Sequence, residues 1–150
     1  MKSKVNQKIK FREGFRPFAP IVLESQMSDV FDLPMTSPYM LLVGQSLKPE
    51  ELPAVTHIDR SARVQTLNSE SDPLLHRLLE TFSSTTGCPA LINTSFNIRG
   101  EPIVLTPEHA LNCFFNTNID ALVIGSFLVE RSKNAHIQKD DSWRHQFELD

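Results

Sequence analysis

Only two cysteines, Cys88 and Cys113, occur in 150 residues. That is a poor disulfide framework for a chain of this length, and it points to reduced thiols and a cytoplasmic setting. There is no C-x-x-C, and the five histidines (57, 76, 109, 136 and 145) fall at no ligand spacing, so no zinc or other metal site is expected. Positive charge is not in surplus. Fifteen Lys and Arg against eighteen Asp and Glu leave a net charge of −3, which argues against general nucleic-acid affinity. No apolar run approaches the roughly 20 residues of a membrane-spanning helix. The first ten residues are polar and basic with no apolar stretch behind them, so no secretory leader is expected. Glycine is scarce, five against ten prolines, and neither repeats nor low-complexity tracts occur. What is present is an ordinary globular composition, 40% hydrophobic with ten Phe, enough for one core.

The clearest element is a helix beginning near Pro73. Ser71 or Asp72 can cap it, Gly87 suits its exit, and Leu74, Leu75, Leu78, Leu79 and Phe82 form its apolar stripe. Thr106-Pro107-Glu108 opens a second helix reaching about Asn116 by the same logic. Residues 24–32 also read as helical. Strand patterns occur at 8–12, 21–23, 39–43 (ending at Gly44), 54–58, 63–67, 89–93, 102–105, 121–124 and 127–129. This mixture predicts a layered α/β or α+β domain over residues 1–131, followed by a polar tail, 132–150, in part without fixed structure.

Two segments carry an unusual design. In Lys8-Ile9-Lys10-Phe11-Arg12, strand alternation places three cations on one face and two apolar residues on the other. Lys10 and Arg12 would then stand about 6–7 Å apart, a pair that repels unless an anion sits between them. The competing reading is a solvated edge, where lysine discourages strand pairing. In the second segment Asn93, Ser95, Asn97 and Arg99 share parity. If extended, they offer amides, a hydroxyl and a guanidinium to a phosphate and a small polar group. The alternative is a polar turn that satisfies its own backbone. Arg63 is a further candidate anion ligand. His57 reads better as a structural hydrogen bonder than as a base, and Cys113, beside Phe114 and Phe115, reads as core.

Together these segments resemble one family. Lys10-x-Arg12 with Ser95-x-Asn97 resembles the K-x-R and S-x-N signature of YrdC-like domains. Ile9 to Pro20 (IKFREGFRPFAP), Ser37-Pro38-Tyr39-Met40, Pro53 to Asp59 (PAVTHID), Ala62 to Thr66 (ARVQT), Asn93 to Val104 (NTSFNIRGEPIV) and Asp120 to Gly125 (DALVIG) are similar to the C-terminal domain of the nodulation and antibiotic O-carbamoyltransferases. The likeness runs in order from about residue 5 to 130. Two departures stand out: Arg60 where the family usually has Gly, and Ser61 where it usually has Thr.

The resemblance implies a YrdC-like twisted mixed β-sheet flanked by helices, truncated at its N-terminus relative to the family. It implies use of ATP, with Mg²⁺ travelling on the nucleotide, and of carbamoyl phosphate, to form carbamoyl adenylate for transfer to a hydroxyl acceptor. Lys10 and Arg12 would be the catalytic cations, and Arg63, Asn93, Ser95, Asn97 and Arg99 the substrate- and nucleotide-binding groups. The family's iron site and acceptor pocket belong to an N-terminal domain outside this sequence, which makes that domain the expected partner. A single chain of this kind is then a partial or inactive transferase by itself, with self-association a further expectation. The competing function is a non-catalytic nucleotide-binding module left from a truncated or split enzyme. A tRNA-binding role, known among YrdC-like domains, fits the acidic balance least. No membrane partner is expected.

Overall fold

Asp72 and Thr106 start the two long helices as the sequence predicts. Asp72 accepts a hydrogen bond from the Leu75 amide at 3.0 Å, and Thr106 accepts one from the His109 amide at 3.2 Å. Each thereby satisfies an amide that the first helical turn leaves without a partner. The helices span Pro73–Thr86 and Pro107–Asn116, and the first ends on Gly87 in the left-handed region (φ 74°). The computed structural model describes residues 1–140 and 142–143. They fall into two compact units. One is residues 17–94 with Lys2; the other is residues 3–16 with Met1 and the described residues from 95 onward.

The first unit is built on a mixed sheet. β1 (Ala19–Leu23), β2 (Phe31–Asp32), β3 (Leu42–Ser46), β4 (Ser61–Leu67) and β5 (Ala90–Asn93) lie in the order β2-β3-β4-β1-β5. β1 is parallel to β4 and antiparallel to β5, and β3 is antiparallel to both β4 and β2. Ile21, Leu23, Leu67 and Leu79 form one buried cluster, with Leu75 and Leu91 packed on it, so the Pro73–Thr86 helix covers one face of the sheet. The fold is therefore mixed α/β, as expected.

The element boundaries differ from the sequence reading in several places. Gly44 lies inside β3 rather than after it, and Tyr39 and Leu41, expected in a buried strand, are 81% and 79% exposed. Residues 54–58 form turns, not a strand, because Pro53 removes an amide and Thr56 donates its hydroxyl back to the Leu52 carbonyl (2.9 Å). Residues 24–32 divide into a 3₁₀ turn, a single α-turn (Met27–Val30) and β2. On the Pro73–Thr86 helix only Leu79 is fully buried, and Leu74 and Leu78 face solvent.

In the second unit the Pro107–Asn116 helix buries Ala110, Cys113 and Phe114. It packs with a hairpin of β6 (Ala121–Ile124) and β7 (Phe127–Glu130) through Phe114 and Leu122. Arg131 tethers the helix end, donating to the Phe114, Phe115, Thr117 and Ile119 carbonyls. Residues 102–105 are irregular rather than a strand. Of the predicted tail, Trp143 packs with Ile98 and Cys113. Residue 141 and residues 144–150 lie outside the described residues. No helix among the described residues is long and apolar enough to cross a membrane.

Candidate anion-binding site

The K-x-R segment is not a strand. Asn6–Lys10 forms one π-helical turn, and Phe11 follows in the left-handed region (φ 51°, ψ 45°). The five-residue alternation is overridden by Asn6. Its carbonyl accepts from the Arg12 amide (3.0 Å), and its side-chain amide donates to the carbonyls of Arg16 (2.7 Å) and Gly14 (3.4 Å). The chain is thus wound around Asn6 instead of extended. Lys8 is exposed while Lys10 is only 5% exposed, so the predicted common cationic face does not exist.

The S-x-N segment is likewise bent rather than extended. Asn97 donates its side-chain amide to the Glu101 carbonyl (2.7 Å), and the Glu101 carboxylate accepts the Ile98 amide (2.9 Å). Gly100 takes the positive φ (78°) that this turn needs. The polar side chains satisfy the local backbone, which removes the reason to pair as a strand.

These two non-strand segments meet on Lys10. Its ammonium donates to the Ser95 carbonyl, to the Asn97 carbonyl and Oδ1 (both 3.0 Å), and approaches Ser95 Oγ at 3.3 Å. The Arg99 amide donates to the Lys10 carbonyl at 3.2 Å. Around this junction lies an open cavity of about 430 Å³ lined by Lys10, Arg12, Arg16, Ser95, Asn97 and Arg99, with the 98–102 turn as its wall. That volume lies within the range of small-molecule sites.

Cations outnumber carboxylates around the cavity. Burial, and then the charge of Arg12, lower Lys10 to about 8, partly opposed by Cys113 and Glu101. Arg12 is also lowered, by burial and by Arg16. Cations that depress one another's protonation form a site in which an anion relieves the repulsion. One carboxylate, Glu101, is in its wall, and a second, Glu13, is paired with two of the lining arginines. Glu13 pairs with Arg16 (3.0 Å) and Arg99 (3.5 Å), and Glu101 is raised mainly by burial. Cys113 is pushed up to about 12 by burial and by Glu101, so it is a protonated thiol and not a nucleophile.

Of the predicted site residues, the cavity brings together Lys10, Arg12, Ser95, Asn97 and Arg99. Arg63 and Asn93 belong to the sheet unit. Arg63 is exposed on β4 opposite Val43, and Asn93 on β5 donates to the Gln65 side chain. Neither lines this cavity. Asn6, Arg16 and Glu101 were not singled out as site residues. Arg16 and Glu101 lie within the family-like stretches IKFREGFRPFAP and NTSFNIRGEPIV, and Arg16 is also a fourth cation, four residues beyond Arg12.

The family profile described as Carbamoyltransferase C-terminus matches residues 1–131. This chain belongs to that family. Among similar proteins, an uncharacterized Synechocystis protein is 44% identical, covering all of this chain and 28% of its own length. The nodulation protein NolO of Bradyrhizobium diazoefficiens is 39% identical over 91% of this chain and 26% of its own length. The 3′-hydroxymethylcephem-O-carbamoyltransferase of Amycolatopsis lactamdurans is 35% identical over 83% of this chain and 24% of its own length. The chain thus spans about a quarter of these relatives. Arg60 adopts φ 66°, the backbone region in which glycine is favoured.

Proposed function

We propose that this chain is the adenylate-forming part of an O-carbamoyltransferase, binding ATP and carbamoyl phosphate in the cavity around Lys10. Water attacks carbamoyl phosphate, a bond to its bridging oxygen breaks, and carbamate, inorganic phosphate and a proton are released. A carbamate oxygen attacks the α-phosphorus of ATP, the bond from that phosphorus to the bridging oxygen breaks, and pyrophosphate leaves with the electron pair. Attacker and target are both anionic, so Coulomb repulsion opposes their approach. A cluster of fixed cations offsets that repulsion and stabilises charge on the five-coordinate phosphorus.

The observation that carries this reading is the convergence of Lys10, Arg12, Arg16 and Arg99 on one cavity with the Ser95 and Asn97 side chains. The Arg guanidiniums suit bidentate contact with phosphate. Lys10 acts by its charge, because its protons already point at the Ser95 and Asn97 oxygens. Mg²⁺ would arrive on the phosphates of ATP. Choice of the hydroxyl acceptor is assigned to the remaining length of the relatives.

Calorimetric titration of the full chain with MgATP tests the reading. Binding is expected to weaken about tenfold or more in Arg12→Ala, the loss of one charge-assisted phosphate contact. Pyrophosphate exchange into ATP that depends on carbamoyl phosphate, in the presence of the separately produced N-terminal region, tests the chemistry. A folded chain that takes up no MgATP ends the proposal.

A further inference from the structure

Asn6 is fully buried, and its side chain uses both of its ends. The amide nitrogen donates to the carbonyls of Arg16 and Gly14, while the oxygen accepts from Arg12 Nε at 2.7 Å. The first set of bonds anchors Asn6 to the loop that carries Arg16. The last engages a charged side chain of the cavity.

A guanidinium is planar, and its Nε–H lies in that plane. A short hydrogen bond along Nε–H therefore fixes the plane's rotation as well as its position. We propose that Asn6 is a positioning residue that sets the Arg12 guanidinium for anion binding before the anion arrives. The inference rests on the adenylate-forming reading above. An arginine held in this way loses less rotamer freedom when a phosphate binds, so affinity comes from preorganisation rather than from a new contact. The main-chain carbonyl of Asn6 acts in the same direction by accepting the Arg12 amide, so backbone and side chain of one residue hold Arg12 at two points.

The test is a double-mutant cycle on MgATP affinity in the full chain, with Asn6→Ala, Arg12→Ala and the pair. Asn6→Ala alone is expected to weaken binding about fivefold, and less than about twofold when Arg12 is already Ala. A loss that persists undiminished in the Arg12→Ala background, or no loss in Asn6→Ala, overturns the positioning role while leaving the functional reading intact. If Arg12→Ala itself leaves MgATP affinity unchanged, the functional reading fails and this inference falls with it. Should Asn6→Ala not fold, the wild-type chain still decides. Its ¹⁵N spectrum is expected to show a slowly exchanging Arg12 Nε–H signal, absent in Arg12→Ala, before any nucleotide is added. A rapidly exchanging Nε–H in the free protein overturns the proposal.

Discussion

Lys10 donates twice to Asn97, to its carbonyl and to its side-chain oxygen, each at 3.0 Å. The two residues are 87 positions apart in sequence, and this contact is one of those that join the K-x-R turn to the S-x-N turn, beside the Lys10 bond to the Ser95 carbonyl and the Arg99 amide on the Lys10 carbonyl. Lys10→Met fills a similar volume but leaves the Ser95 and Asn97 carbonyls without their donor. A lost partner at a part-buried acceptor costs about 1–3 kcal/mol. The expected outcome is a urea midpoint lowered accordingly and MgATP affinity reduced about tenfold or more. Unchanged stability would mean that the ammonium is not what holds the two turns.

The same ammonium sets a pH dependence. Lys10 titrates near 8 in the folded chain, against 10.5 unfolded, chiefly because it is buried and secondly because Arg12 is close. Its charge, and with it MgATP affinity, is expected to fall as pH rises through about 8, a decline that Lys10→Met should not show. Stability moves the other way. Between about pH 8 and 10.5 the unfolded chain binds the extra proton, so the penalty for keeping this amine charged while buried disappears as pH rises. The stability difference between wild type and Lys10→Met, followed from pH 7.5 to 10.5, checks the sign.

What the sequence disclosed followed from whether the deciding interaction was local. Caps and exits are local, so Asp72, Thr106 and Gly87 marked their helices correctly. The candidate site residues were legible as chemistry, a cation pair and a row of amides, but the reason given for their grouping was not. Strand alternation at 8–12 was offset by the buried Asn6 side chain, whose partners at 12, 14 and 16 no periodicity reveals. Parity likewise grouped Asn93 with Ser95 and Asn97, whereas the Asn93 side chain turns to Gln65, a partner 28 residues away. Glu101 lies inside the family-like stretch NTSFNIRGEPIV but drew no role, because a single acidic residue after a glycine carries no pattern. Its role exists only once the Ile98 amide is placed before it.

Glu101 braces the S-x-N turn from below. Its carboxylate accepts the Ile98 amide at 2.9 Å, and its main chain closes the same turn through the Asn97 side chain (2.7 Å) and the Ile98 carbonyl (3.3 Å). Glu101→Ala removes the side-chain acceptor and is expected to cost about 1–3 kcal/mol, since it leaves the part-buried Ile98 amide without that acceptor. Glu101→Gln keeps an oxygen at that place and should recover most of the loss. Thermal midpoints of the two variants give the comparison, and equal losses would show that negative charge, not turn bracing, is what matters.

Arg60 pays a conformational penalty at φ 66°, held there by its amide on the His57 carbonyl (3.0 Å) and its carbonyl on the Ser46 amide (2.8 Å). A side chain in the left-handed region costs about 1–2 kcal/mol relative to glycine, part of which glycine returns as unfolded-state entropy. Arg60→Gly is therefore expected to stabilise the chain by roughly 0.5–1 kcal/mol, read as a higher urea midpoint at unchanged slope. A destabilised Arg60→Gly would mean that the arginine side chain makes an interaction worth more than the strain.

Gly44 is constrained for a different reason, close approach rather than backbone angle. It sits within β3, and a Cβ at this position would lie 2.7 Å from the Asp32 carbonyl of β2 and 2.8 Å from Leu33 Cγ. The leucine can shift, but the carbonyl belongs to the paired backbone, where Phe31 and Asp32 face Ser46 and Gln45. Relieving the clash means separating β2 from β3 at the end of the sheet. Gly44→Ala is expected to cost about 1–3 kcal/mol. Amide exchange at residues 31–32 and 45–46 should accelerate more than at the central pairing of β1 with β4, because the strain is released at the edge. Uniform acceleration across the sheet, or none, would place the glycine's constraint elsewhere.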